Sequence, residues 1–184
     1  MTFPLRALIS LLFFACALSA VAQHPSSPPA NIPDSMNYMW KMVEKDFTDL
    51  AEAMPEEKWG FRPSQGAFAG ARTFAEQVKH VACGNEAWAK KLRGEKPPAH
   101  CDTGGPNPAT AKTAILAYLR ESFVMMDGEI AATKLHNLMA PVQGPYAGDN
   151  RFEVLTSALW HISDHYGQLV EYARMNGIVP PASR

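Results

Sequence analysis

The stretch that decides the fold is residues 150–177, NRFEVLTSALWHISDHYGQLVEYARMNG. Val154, Ala158 and Tyr172 recur along it at multiples of the helical repeat, with His161, His165 and Gln168 bordering the same face. Asn150 and Glu153 form a cap pair at one end, and Gly177 stops the other. The segment therefore predicts one long amphipathic helix. Within it, four residues of helix turn the chain through about 400°, so His161 and His165 lie about 40° apart on one face, one turn above the other. Two imidazoles at that spacing can reach a single metal ion. Everything upstream bears on whether a third ligand joins them.

Three more helical patterns precede this one. Met36, Met39, Trp40, Val43, Phe47, Leu50 and Met54 form a stripe that predicts a helix over about 35–54, capped by Asp34 or Ser35 and ended by Pro55. Thr73 and Glu76 make a capping box for a second helix, whose stripe is Phe74, Val78, Val81, Trp88 and Leu92 and whose stop is Gly94. His80 sits beside that stripe, and Gly84, one turn on, is expected to leave space next to the His80 imidazole. A third helix is expected over about 108–134, capped by Asn107, with Ile115, Leu116, Leu119, Phe123, Met126, Ile130 and Ala131 facing inward. Asp127 and Glu129 near its end read as exposed carboxylates.

No β alternation of useful length is present. The fold class is all-α, a four-helix bundle with long inter-helix connections. Residues 55–72, 95–107 and 135–149 are rich in Gly and Pro, so simple up-down wiring is not required. Trp59 and Phe61 are expected to anchor the first of these. His100 and His136 read as surface residues, and the His100–Cys101 pair lacks a matching second pair in the sequence.

The chain opens with a segment outside the bundle. MTFPLR carries Arg6, an apolar run follows, and Ala20-Val21-Ala22 is a small-x-small cleavage pattern. The run has about 14–16 residues, short of the roughly 20 that span a bilayer. Residues 1–22 are therefore expected to be a cleaved signal peptide. Cys16 lies inside the run and Phe13 stands where a lipobox needs Leu, which argues against a lipoprotein. Residues 23–33 read as a flexible Pro/Ser-rich arm containing His24, and 34–181 as the bundle domain. The expected address is the periplasm or the extracellular space.

Charge excludes one class of partner. The 17 basic and 18 acidic residues give a net charge of −1. Loss of Arg6 would leave −2, so no basic nucleic-acid footprint exists, and no second apolar run could hold the mature chain in a membrane. Two of the three cysteines, Cys83 and Cys101, remain after cleavage. An oxidising compartment favours pairing them, which closes a short loop and stabilises by about 3 kcal/mol in the chain-entropy model. Inert thiols, or a reactive thiol at Cys83 three residues from His80, are the alternatives.

Three segments, MPEEKWGFRP, RTFAEQVKHVA and LWHISDHYGQLVEYARMNGIVPP, resemble the signature regions of the DinB-like superfamily. The resemblance runs from about Met36 to Pro181. Its most specific parts are the lone His of the second helix and the H-x-x-x-H-x-G-Q segment of the fourth. It implies a four-helix bundle, in many members a dimer, with a divalent metal (Zn or Ni first, Fe or Mn next) bound by His80, His161 and His165. Three protein ligands leave a position for water or a small-molecule substrate, and bound Zn²⁺ can lower the pKa of its water to about 7. Members include thiol-dependent S-transferases, a thiol-dependent isomerase and metal-dependent hydrolases. An export signal weighs against a low-molecular-weight thiol as co-substrate. No general base stands out: Asp164, next to His165 in sequence, points about 100° away on the helix. Glu44, Asp127 and Glu129 are the other carboxylates to consider, and Tyr166 and Gln168 are candidates for supporting the ligands. A metal-binding or partner-binding bundle without turnover is the competing reading.

Overall fold

The computed structural model describes residues 27–103, 110–144 and 148–184. The expected leader over 1–22, His24, and the expected cap at Asn107 and Pro108 lie outside the described residues. The described residues form four α-helices: α1 (Ile32–Ala53), α2 (Phe74–Leu92), α3 (Lys112–Ala131) and α4 (Arg151–Met175). Among the described residues the only extended pairing is an isolated bridge between Pro141 and Asn150. The all-α expectation holds.

Helix ends follow local chemistry. α1 begins at Ile32, not Ser35, and so takes in the last two residues of the expected arm. The Asn31 side chain accepts from the Asp34 amide at 3.0 Å, and Pro33 costs nothing in a first turn whose N–H groups have no helical partner. At the other end Met54, held extended by the proline after it, terminates the helix. Both halves of the Thr73–Glu76 capping box form, and Asn150 caps α4 by accepting from the Glu153 amide. α3 starts four residues later than expected, at Lys112, with no side-chain cap. Lys112 instead donates to the carbonyls of Glu52 and Met54, both at 2.7 Å, satisfying the end of α1.

The packing order explains the long connections. α1 lies against α3 and α4, and α2 lies against α3 and α4. The ring order is therefore α1–α3–α2–α4, with α1 diagonal to α2 and α3 diagonal to α4. Two of the three connections must span a diagonal, which a tight turn cannot do. The first is held down along its way. Trp59 is buried and donates its indole N–H to Met54 O at 2.9 Å, its ring meets Phe74 at 5.6 Å, and Phe61 packs edge-on to Tyr172 at 5.6 Å. The connection between α3 and α4 crosses the end of α2 at Gly144, where a Cβ would run into the Gly94 carbonyl oxygen. Both glycines have positive φ, 71° and 76°, so neither position suits another residue.

The core is continuous through all four helices, with Trp40, Phe47, Leu50, Phe74, Val78, Ile115, Leu119, Phe123, Met126, Ile162 and Leu169 essentially inaccessible. Trp88 and Val43 are partly buried against it. Two expected core positions are not core: Met39 is 48 % exposed and Ala131 lies on the surface. The two carboxylates expected to be solvated are instead structural. Asp127 accepts from Trp40 Nε1 at 3.2 Å and from Lys41 at 2.5 Å, tying α3 to α1. Glu129 is largely buried and pairs with Arg151 at 2.9 Å, tying α3 to the start of α4. No described helix is long and apolar enough to cross a membrane.

Candidate metal centre

His80 stands two turns into α2, where the capping box fixes the helix phase. His161 and His165 stand near the middle of α4, its neighbour in the ring. The structure brings all three expected residues together. Ring centroids are 5.0 Å apart for His80 and His161, 4.7 Å for His80 and His165, and 4.6 Å for His161 and His165. One ligand nitrogen from each ring falls within 4.8 Å of the others. The Nε2 atoms of His80 and His161 are 3.1 Å apart. Two nitrogens bound to one tetrahedral Zn²⁺ at about 2.05 Å would be about 3.3 Å apart, so the rings already stand at the separation of co-ligands.

Electrostatics keeps the three rings neutral. Each has its pKa lowered from 6.5 to about 4. Burial is the largest cause in every case, because an imidazolium loses its hydration. For His80 the positive charge of Arg72 comes next, then His161; for His161 and His165 a neighbouring ring comes next after burial, and Arg72 adds a smaller lowering. Asp164 opposes the shift at both α4 rings without reversing it. At pH 7 the site therefore presents lone pairs and not charges, which is what a divalent ion requires. The Nδ1 atoms of His161 and His165 are also buried without a hydrogen-bond partner. Three neutral imidazoles are a suitable donor set for Zn²⁺, Ni²⁺ or Fe²⁺, and less so for Mn²⁺, which prefers carboxylate and water ligands; the residues present fit an ion of the first kind.

Three surrounding features were not readable from spacing. Gly84 does leave room for an imidazole, but for that of His161 and not His80. A Cβ there would lie 2.8 Å from His161 Cε1 and 3.3 Å from its Nδ1. Gln77, buried on α2, donates to Gln168 Oε1 at 2.6 Å, and Gln168 Nε2 donates to Asp164 at 2.9 Å. This chain clamps α2 to α4 beside the triad, and it engages the Asp164 carboxylate. A cavity of about 300 Å³ lies against His161, lined also by Gly84, Ala87, Trp88 and Lys91. Another, of about 250 Å³, is bordered by Leu92, Val142 and Arg151 and by none of the three histidines. Of the other carboxylates considered, Glu44 pairs with Lys41 at 2.8 Å, and Asp127 and Glu129 are committed to the helix contacts described above. Tyr166 packs on the core.

The cysteines settle one open alternative. Cys83 and Cys101 form a disulfide, with Cα atoms 5.4 Å apart, joining α2 to a 3-10 turn over Ala99–Thr103. His100, on that turn, is solvent-exposed as expected, yet its ring is engaged. Its Nε2 lies 3.0 Å from Glu86 Oε2 and 3.3 Å from the Tyr118 hydroxyl. His136 is exposed.

The sequence model of the DinB superfamily matches residues 39–169, well over half of the chain. No curated protein matches the chain. The matched region spans all three histidines and nearly the whole bundle. Four helices, a continuous core, the converging imidazoles and this match agree: the chain belongs to the DinB superfamily, whose members typically bind a metal ion.

Proposed function

We propose that His80, His161 and His165 hold a divalent metal ion, Zn²⁺ or Ni²⁺ first, and that the protein is an exported metal-dependent enzyme acting on a small electrophile. The observation that carries this reading is the convergence of three neutral imidazoles from two adjacent helices on one point. When bound, the ion supplies Lewis acidity and makes water nucleophilic near neutral pH. The protein's own residues do the rest. α2 and α4 fix the ring positions, Gly84 admits the His161 ring, and the Gln77–Gln168–Asp164 chain holds the two helices in register. Three ligands leave a coordination position for water or substrate, and the cavity beside His161 offers room for a small molecule. Hydrolysis is preferred over thiol transfer because an exported protein meets few low-molecular-weight thiols.

Export rests on the N-terminal pattern through Ala22 and on the Cys83–Cys101 bridge, which is at home in an oxidising compartment. The mature protein would then begin at Gln23, which intact-mass measurement of secreted protein tests directly.

A second reading, metal binding without turnover, is favoured by one observation: the Asp164 carboxylate accepts from Gln168 and is thereby tied into the helix clamp. Metal analysis of untagged protein and a screen of ester, amide and phosphoester substrates separate the two. Stoichiometric metal with chelator-sensitive turnover supports the enzyme; stoichiometric metal without turnover supports the binding module. Turnover that persists with chelator and in His80→Ala would overturn the metal-dependent reading.

A further inference from the structure

The disulfide corner contains a second convergence of metal-ligating groups. Cys83, Cys101 and His100 each offer a ligand atom, and the three atoms lie within 4.8 Å of one another. Cys83 is buried on α2, whereas Cys101 and His100 ride on the more exposed 3-10 turn. Glu86, itself largely buried, contacts the ring: its Oε2 lies 3.0 Å from His100 Nε2. That carboxylate is in turn fixed by the Tyr118 hydroxyl, which donates at 2.8 Å, and by Lys90 at 3.0 Å. A carboxylate on one ring nitrogen is the common device that orients a metal-binding histidine and raises its basicity.

We propose that reduction of the Cys83–Cys101 bridge converts this corner into a second metal site, with two thiolates and one imidazole for a thiophilic ion such as Zn²⁺. Oxidised, the two sulfurs are spent on each other. Cys101, partly buried where Cys83 is fully buried, is the sulfur a dithiol or phosphine reductant would attack. With a dithiol, one thiolate attacks the Cys101 sulfur and Cys83 leaves as thiolate. The reductant's second thiol then closes on its first sulfur and releases Cys101. The reductant becomes a cyclic disulfide, and the protein gains two electrons and two protons. Binding of the ion releases those two protons. His100 completes three protein ligands and water takes the fourth position. Glu86 is a positioning residue, acting through the His100 ring. The proposal stands whether or not the histidine triad holds metal.

The test uses the full mature chain, oxidised or reduced with a phosphine under anaerobic conditions, titrated with Co²⁺ and then with competing Zn²⁺. Reduction should add one equivalent of bound ion over the oxidised protein, with a near-ultraviolet thiolate-to-cobalt charge-transfer band that Zn²⁺ abolishes. The same increment should appear in His161→Ala, which separates this site from the triad. His100→Ala keeps the disulfide and should weaken the added site by at least about tenfold, and Glu86→Gln by about tenfold. No added equivalent, a band unchanged in His100→Ala, or loss of helical circular dichroism on reduction each overturns the proposal.

Discussion

Two faces of α2 each carry metal-ligating side chains and treat them in opposite ways. Toward α4, His80 meets two more imidazoles, among the described residues no carboxylate bonds any of the three rings, and all three bases are held neutral by burial. Toward the 3-10 turn, three residues further along, Cys83 is covalently satisfied by Cys101, and His100 is satisfied by Glu86 and Tyr118. One face keeps its donors available at the cost of unpartnered buried nitrogens. The other closes its donors internally and uses them to fasten a connection. Ligand type alone therefore does not mark a metal site; what matters is whether the protein itself consumes the lone pairs.

The sharpest way to break this contrast is to remove a ring from the open face. His161→Ala should reduce bound Zn²⁺ or Ni²⁺ from about one equivalent to near zero by elemental analysis, since two imidazoles are too few for a lasting site. Opening the closed face should instead cost stability. Reduction, or Cys101→Ser, should lower the unfolding free energy of metal-free protein by up to about 3 kcal/mol, read by urea melts, whereas protein loaded with metal should keep its triad equivalent. A reduced protein that loses its triad metal would show the two faces to be coupled.

Acid should also separate them. The triad histidines have folded pKa values near 4 against 6.5 unfolded, so between those values the unfolded chain binds more protons. Metal-free stability should be fully present above pH 6.5 and fall steadily toward pH 4. A urea midpoint that stays flat across this window would contradict the burial assigned to the rings. Gly84→Ala should destabilise by about 1–3 kcal/mol, because the added carbon meets His161 inside van der Waals distance, and should weaken metal binding as the ring is displaced. The smallest effect belongs to the clamp. Gln168→Ala should cost about 1 kcal/mol, with metal retained.

Features encoded within a few residues were legible in the sequence. The Thr73–Glu76 box and the Asn150 cap were readable because both partners sit on the same turn. The histidine pair was readable because helical period fixes its geometry. His80 became a credible third ligand only through its place beside a buried stripe and its resemblance to a family pattern. What escaped depends on which helix lies next to which. Asp127 and Glu129 read as solvated because their partners, Trp40 and Arg151, are far away in sequence. Gly84 was assigned to the wrong imidazole because the α2–α4 register is a tertiary fact. Met39 fits the periodic stripe, but its edge of α1 meets no helix closely enough to be covered. The diagonal order of the bundle was open for the same reason.

The two helices that carry the triad are neighbours in space, yet 81 residues separate His80 from His161. Synthesis runs from the amino end, so a chain still lacking its last quarter owns a single ring and no chelate. Any ion gripped by all three rings would certify that translation had finished and that the final helix had docked. Metal retention would thus serve as a receipt for completeness, useful for sorting full-length molecules from fragments during purification.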